Sequence, residues 1–156
     1  MIKVEIPGRF TYLIKNAVFD YNGTIACNGK ISLSVRDKIN ELGKLVNIYV
    51  LTADTYGSAA KECKGLNLKL LTFPKGDAAD FKSQIVSDLG KENCICFGNG
   101  YNDIKMFEKA LLSVAVLGDE GMCSSLLLKS DIMVKSIEDG INLLLNTNSL
   151  IADLRG

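Results

Sequence analysis

Val18-Phe19-Asp20-Tyr21-Asn22-Gly23-Thr24 is the stretch from which the rest of the chain is read. An apolar run ends on a carboxylate, and the backbone then turns at a glycine followed by a hydroxyl. Ligands of an open α/β sheet collect just outside the carboxyl ends of its strands, so an aspartate there faces a crevice. Such an aspartate can act as a nucleophile that becomes an acyl phosphate, as a metal ligand, or as both. Taken alone, it can equally be the polar end of a strand. Asn22 is the unusual residue, an amide where this chemistry ordinarily uses a second acid.

Working outward, residues 17–20 read as the first central strand. Residues 2–6 alternate like a strand, and Pro7-Gly8 turns the chain into residues 10–14, which suggests an edge hairpin. Residues 25–31 read as a small hairpin, because Asn28-Gly29 suits a two-residue turn with positive φ. Ser34 is the expected cap of a helix whose face is Val35, Ile39, Leu42 and Val46. Beyond it, residues 47–52, 68–73, 93–97, 113–117 and 131–134 read as strands. Helices are expected between them at 55–63, 77–89, 102–111 and 120–128, and a last one at 137–145. The 77–89 segment has the clearest period, with Ala78, Phe81, Ile85 and Leu89 along one face. Strands apolar on both faces and separated by helices imply a parallel sheet covered on both sides. The expected fold class is therefore α/β, a single doubly wound, Rossmann-like domain over residues 1–156. Residues 148–156 are too short a stretch to place.

The bulk composition narrows the function classes. At 156 residues, 47% hydrophobic and 23% charged, the chain matches a globular domain with a real core. Eighteen basic residues balance eighteen acidic ones, which removes the electrostatic case for a nucleic-acid partner. No apolar run is long enough to span a membrane, and the alternating charges of residues 1–6 are unlike a signal peptide. A cytoplasmic location is the expectation. The five cysteines form no disulfide framework. Cys94 and Cys96 share one face of a strand and read as small buried hydrophobes in a reducing compartment. Histidine is absent, which excludes Ser-His and Cys-His catalysis and His-ligated zinc or iron.

Four features fall at or near strand ends in this reading: Asp20, Thr52, Lys82 and the turn Gly98-Asn99-Gly100-Tyr101-Asn102-Asp103. In this order they resemble the signature of the haloacid dehalogenase superfamily of phosphohydrolases and phosphoryl transferases. That signature is Asp-x-Asp-Gly-Thr, a strand-end Thr or Ser, a Lys, and an acidic turn. Within it the chain resembles the phosphorylation domain of P-type ATPases, through Val50-Leu51-Thr52-Ala53-Asp54, Phe81-Lys82-Ser83-Gln84-Ile85-Val86 and Gly98–Asp103. It has neither the nucleotide-binding insertion between the first two motifs nor the membrane helices of those pumps.

The resemblance implies a set of roles. Asp20 is the nucleophile and Mg²⁺ the cofactor, held by Asp20, the backbone carbonyl of Asn22, Asp103 and, through water, Asn99. Thr52 and Ala53 take the phosphate together with Lys82 and Asn102, which can also orient Lys82. Taken singly, Thr52 is more often a helix cap, the 98–103 turn can be only a strand-to-helix connection, and Lys75 competes with Lys82. Asp54 and Asp77 read as helix starts. The substrate class implied is a small phosphorylated molecule. The gaps leave no room for a cap domain, so only the Asn28-Gly29 hairpin is available to cover Asp20. Capless relatives often borrow a neighbouring subunit as a lid, which implies a homo-oligomer, a dimer or tetramer. Asn22 and Asn99 both replace acids of the pattern. An amide cannot take the proton that an acid there exchanges, and general acid–base help is worth about 10²–10⁴ in rate. A slow phosphohydrolase with a longer-lived phosphoenzyme is the expectation; the alternatives are a soluble ATPase-like phosphoryl-accepting domain, or a regulatory or binding module that keeps the fold without efficient catalysis.

Overall fold

The computed structural model describes every residue except 55, 56 and 75. The central sheet has six parallel strands in the order β5-β4-β3-β6-β7-β8. They are β3 (Asn16–Asp20), β4 (Asn47–Thr52), β5 (Lys69–Thr72), β6 (Cys94–Gly98), β7 (Leu112–Val116) and β8 (Ile132–Val134). β3, β6 and β7 are buried at every residue, the signature of strands covered on both faces. Alternate residues then serve two cores. Ala17, Phe19, Ile95 and Phe97 belong to one, and Val18, Cys94 and Cys96 to the other. Helices α1 (Leu33–Leu42), α6 (Ile137–Leu145) and α7 (Thr147–Leu154) feed the first core. Helices α3 (Ala78–Asp88), α4 (Ile104–Phe107) and α5 (Ser124–Leu127) feed the second. The doubly wound α/β expectation is met.

Several elements differ from the sequence expectation, each for a local reason. β1 (Ile2–Glu5) and β2 (Thr11–Ile14) do pair antiparallel, but as a separate two-stranded sheet. That hairpin packs Val4, Tyr12 and Ile14 into the first core. Helix α1 is capped by Ser32, whose hydroxyl accepts the Val35 amide at 3.3 Å, and Ser34 lies inside it. Val35, Ile39 and Leu42 are buried as expected, while Val46 is buried beyond the helix, just before β4. The expected 55–63 helix is the short α2 (Ser58–Glu62); its first residues lie outside the described ones. The helix begins at Ser58 after Gly57 rather than at Asp54, whose Oδ2 nonetheless accepts the Ala59 amide of its first turn at 2.7 Å. The long 102–111 and 120–128 helices contract to one turn each, and residues 147–154 form the unassigned α7.

Helix α3 departs most instructively. Its fully buried residues are Lys82 and Val86, with Ala78, Ile85 and Leu89 flanking them and Phe81 40% exposed. A pattern reading counts lysine as polar and so centres the face on the neighbouring apolar positions. The helix instead turns its lysine inward, and only compensation by opposite charges permits that.

Candidate active site

The switch point of the sheet lies between β3 and β6, from which the chain proceeds outward in both directions. Asp20 ends β3, Thr52 ends β4 beside it, and the 98–103 turn follows β6 on the other side. The parallel ladder places Asp20 opposite Leu51 and Phe19 opposite Phe97, so adjacent strand ends bring the three motifs together. Lys82 enters from α3, above that face. A cavity of about 200 Å³ opens here, lined by Asp20, Asn22, Thr52, Ala53, Phe73, Lys82, Asn99, Gly100 and Asn102.

At its floor the Lys82 ammonium, 1% exposed, bridges two carboxylates. It is 2.6 Å from Asp20 Oδ1 and 2.6 Å from Asp103 Oδ1, and it donates to Asn102 Oδ1 at 3.0 Å. Asp103 is wholly buried, and its other oxygen accepts the Asn99 and Gly100 amides at 3.1 and 2.9 Å. Both its oxygens are engaged, and it lies behind the cavity wall. In this geometry Asp103 holds Lys82 and the turn in place. Gly98 allows the turn to close so tightly: a Cβ there would sit 2.5 Å from the Asp103 carboxylate.

Burial pushes the Asp20 carboxyl up to about 7, with the Asp103 charge adding to the effect and Lys82 and Thr24 drawing it back. For Lys82 burial works against the charged form, but the two carboxylates outweigh it and the ammonium is held above its ordinary range. The cluster carries one positive and two negative charges. A further cation or a proton on Asp20 would balance it.

Thr24, quoted in the motif but given no role from the sequence, joins the two halves of the site. Its hydroxyl lies 3.4 Å from Asp20 Oδ2 and 3.2 Å from Asn99 Oδ1. Asn99 is fixed from the other side, where Nδ2 donates to the Gly121 carbonyl at 3.3 Å and its own carbonyl accepts the Cys123 amide. Gly23, at φ +76°, makes room for it, since a Cβ there would lie 2.2 Å from Asn99 Nδ2. Asn22 is exposed and borders the cavity. Thr52 Oγ1 accepts the Asp54 amide at 3.1 Å, which leaves its proton free to donate into the cavity. Phe73 is a further wall residue that the sequence reading missed; as an apolar residue after a strand it gives no signal. Lys75, the alternative to Lys82, lies outside the described residues.

The 25–31 hairpin does not roof the Asp20 cavity. Asn28 and Gly29 sit at its tip with φ of 49° and 76°, in the expected two-residue turn, and Cys27 and Lys30 exchange both backbone hydrogen bonds at 3.0 Å. The hairpin flanks a neighbouring cavity of about 170 Å³, shared with residues 116–120 and 135–138.

Metal fit rests on the donor chemistry. Among the described residues no three His, Cys, Asp or Glu side chains converge as a metal cage. The oxygens available are one oxygen of Asp20, the Asn99 amide oxygen beside it and groups of Asn22. An all-oxygen, largely neutral set of this kind suits a hard divalent ion that keeps several waters. The residues fit a hard divalent ion.

Comparison with known proteins places the fold among known ones. Residues 75–118 match the model of haloacid dehalogenase-like hydrolases. An uncharacterized protein of Methanocaldococcus jannaschii is 46% identical over 78 residues, which are 47% of this chain and 84% of that one. The 3-deoxy-D-manno-octulosonate 8-phosphate phosphatase of Moraxella catarrhalis, solved with magnesium, phosphate and KDO, superposes with a TM-score of 0.72 at 15% identity. That match covers 91% of this chain and 94% of the other. The cobalt-bound phosphatase of the same name from Haemophilus influenzae gives 0.71 at 15%, covering 92% and 94%. Those solved phosphatases share the fold of this chain. The segment between Asp20 and β4 holds only a hairpin and α1, and the chain, which has no cap domain among its described residues, is similar to the haloacid dehalogenase-like hydrolases over residues 75–118.

Proposed function

We propose that this chain is a Mg²⁺-dependent phosphohydrolase that works through an aspartyl phosphate on Asp20, slowly, on a small phosphorylated molecule. The observation that carries the reading is the buried Asp20–Lys82–Asp103 cluster on the wall of a cavity that Thr52 and Asn102 also line. In the proposed reaction an oxygen of the Asp20 carboxylate attacks phosphorus. The phosphorus–oxygen bond to the leaving group breaks, and water later cleaves the acyl phosphate to restore the carboxylate. Thr52 and the Ala53 backbone bind the phosphoryl oxygens, and Lys82 neutralises them while Asp103 and Asn102 hold its ammonium in position. Asp20, the Asn22 carbonyl and Asn99 would hold Mg²⁺, which would supply positive charge between two anions. Asn22 can donate a hydrogen bond to the leaving oxygen but not a proton, so that oxygen is protonated by solvent. The reading places the protein in the cytoplasm, as a dimer or tetramer. Among the described residues no helix is long and apolar enough to cross a membrane.

The purified protein should cleave an aryl phosphate in Mg²⁺, and Asp20→Asn should abolish the activity. Equal trace rates for both proteins would overturn the reading. The exposed amide of Asn22 favours a second reading, a phosphoryl-accepting domain of the P-type ATPase kind in which the acyl phosphate persists. Acid quench followed by intact mass separates the two. A phosphorylated Asp20 that outlasts many turnover times supports the second; rapid release without accumulation supports the first.

A further inference from the structure

Both amides that replace acids at the site are followed by glycine, Asn22-Gly23 and Asn99-Gly100, and the hairpin tip Asn28-Gly29 is a third such pair. Asn-Gly is the sequence most prone to lose its amide without an enzyme. The glycine nitrogen gives up its proton to solvent base and attacks the asparagine Cγ. The Cγ–Nδ2 bond breaks and ammonia leaves. Water then opens the resulting five-membered imide at either carbonyl, giving aspartate or isoaspartate. No oxidant or reductant takes part. The reaction needs a glycine N–H free of hydrogen bonds and a side chain able to swing onto it.

The three pairs differ in both respects. The Gly100 N–H donates to the Asp103 carboxylate at 2.9 Å, an anionic acceptor that disfavours its ionisation. The Asn99 side chain is held at both ends, by Thr24 and by the Gly121 carbonyl. The Gly23 N–H donates to the Ala26 carbonyl at 2.8 Å, while the Asn22 side chain is exposed. At the hairpin tip the turn bonds run between Cys27 and Lys30 and leave the Gly29 N–H without an acceptor among the described residues. Asn28 is exposed, its side chain has only a 3.7 Å contact with Cys27 Sγ, and the space around Gly29 is open.

We propose that the fold sorts these three pairs: Asn28 is a spontaneous deamidation and isomerisation site, whereas Asn22 and Asn99 are locked as amides. The order of conversion in the folded protein is Asn28 first, Asn22 far behind it and Asn99 last. Isoaspartate at position 28 lengthens the backbone of a two-residue turn. It displaces the Gly29 carbonyl that accepts the Tyr21 hydroxyl at 3.1 Å, one residue from Asp20. The proposal does not depend on phosphatase activity.

The test ages the intact, folded protein in mildly alkaline buffer, with a parallel sample in denaturant, and maps the three peptides by mass and isoaspartate content. Isoelectric focusing counts the charge gained, which is simple to resolve from a formal net charge of zero. Expected are one acidic species in the folded sample, carrying the change at residue 28, and comparable conversion of all three pairs in the unfolded one. Asn28→Gln should remove the acidic species from the folded sample. Conversion of Asn22 or Asn99 in the folded protein at the rate of Asn28, or an unchanged Asn28, overturns the proposal.

Discussion

Replacing Lys82 by Met keeps the buried hydrocarbon stem and removes the one cation between Asp20 and Asp103. Each carboxylate oxygen lies 2.6 Å from the ammonium, so the two are separated by at most twice that distance. At about 5 Å and an effective dielectric of about 20, their repulsion when both are ionised, at alkaline pH, is about 3 kcal/mol. Removing one partner from a buried ion pair generally costs about 3–5 kcal/mol, because the remaining charge is stranded. A domain of this size is stable by only about 5–15 kcal/mol, so the loss is a large fraction of the total. At about 2–4 °C per kcal/mol, the melting temperature should fall by roughly 6–20 °C. Urea titration in metal-free buffer measures it directly. Asp103→Asn added to Lys82→Met should recover part of the loss, since it removes the stranded charge; the double-mutant cycle then reads the coupling. If Lys82→Met unfolds within about 0.5 kcal/mol of the parent, as an ordinary surface substitution does, the cluster reasoning is wrong.

Three further predictions follow from other residues. Asn22→Asp restores an acid beside the nucleophile and should raise phosphatase turnover, by up to about 10²–10⁴; an unchanged kcat means another step limits the rate. Gly23→Ala sets a Cβ 2.2 Å from Asn99 Nδ2 at φ +76°, so it should destabilise by about 1–3 kcal/mol in denaturant titration, and full stability would contradict the described fit. Burial raises the thiols of Cys63, to about 11, and of Cys94 and Cys96. A raised thiol stays protonated, so at about pH 8 only exposed Cys27 and half-buried Cys123 should react with a disulfide reagent until the protein unfolds; rapid reaction of all five would refute the burial.

The elements legible in the sequence are those whose residues face one kind of surroundings along their whole length. β3, β6 and β7 are buried at every residue because both faces are covered, and the apolar runs within them show this directly. The Asn28-Gly29 turn was legible because positive φ at two successive residues selects those side chains. What was hidden depends on contacts distant in sequence. Lys82 is polar in any pattern, and its inward orientation depends on Asp20 and Asp103. The role of Thr24 depends on Asn99, which β6 carries to within reach of it. Ser32 and Ser34 are equally good caps by type, and the start of α1 decides between them. The short α4 and α5 show the limit of periodicity, which marks apolar spacing but not where a one-turn helix stops.

The pairing of β3 with β4 and β6 has a consequence for how this domain can change. The candidate site groups are indexed by ladder rung, Asp20 level with Leu51 and Phe19 level with Phe97. One residue inserted within β3 would turn Asp20 to the opposite face of the sheet and strand Lys82. An insertion of any length in the connection that carries the hairpin and α1 would leave every rung where it is. The domain is thus rigid along its strands and permissive in its connections, so a lid could be grafted beside Asp20 without disturbing the chemistry beneath it.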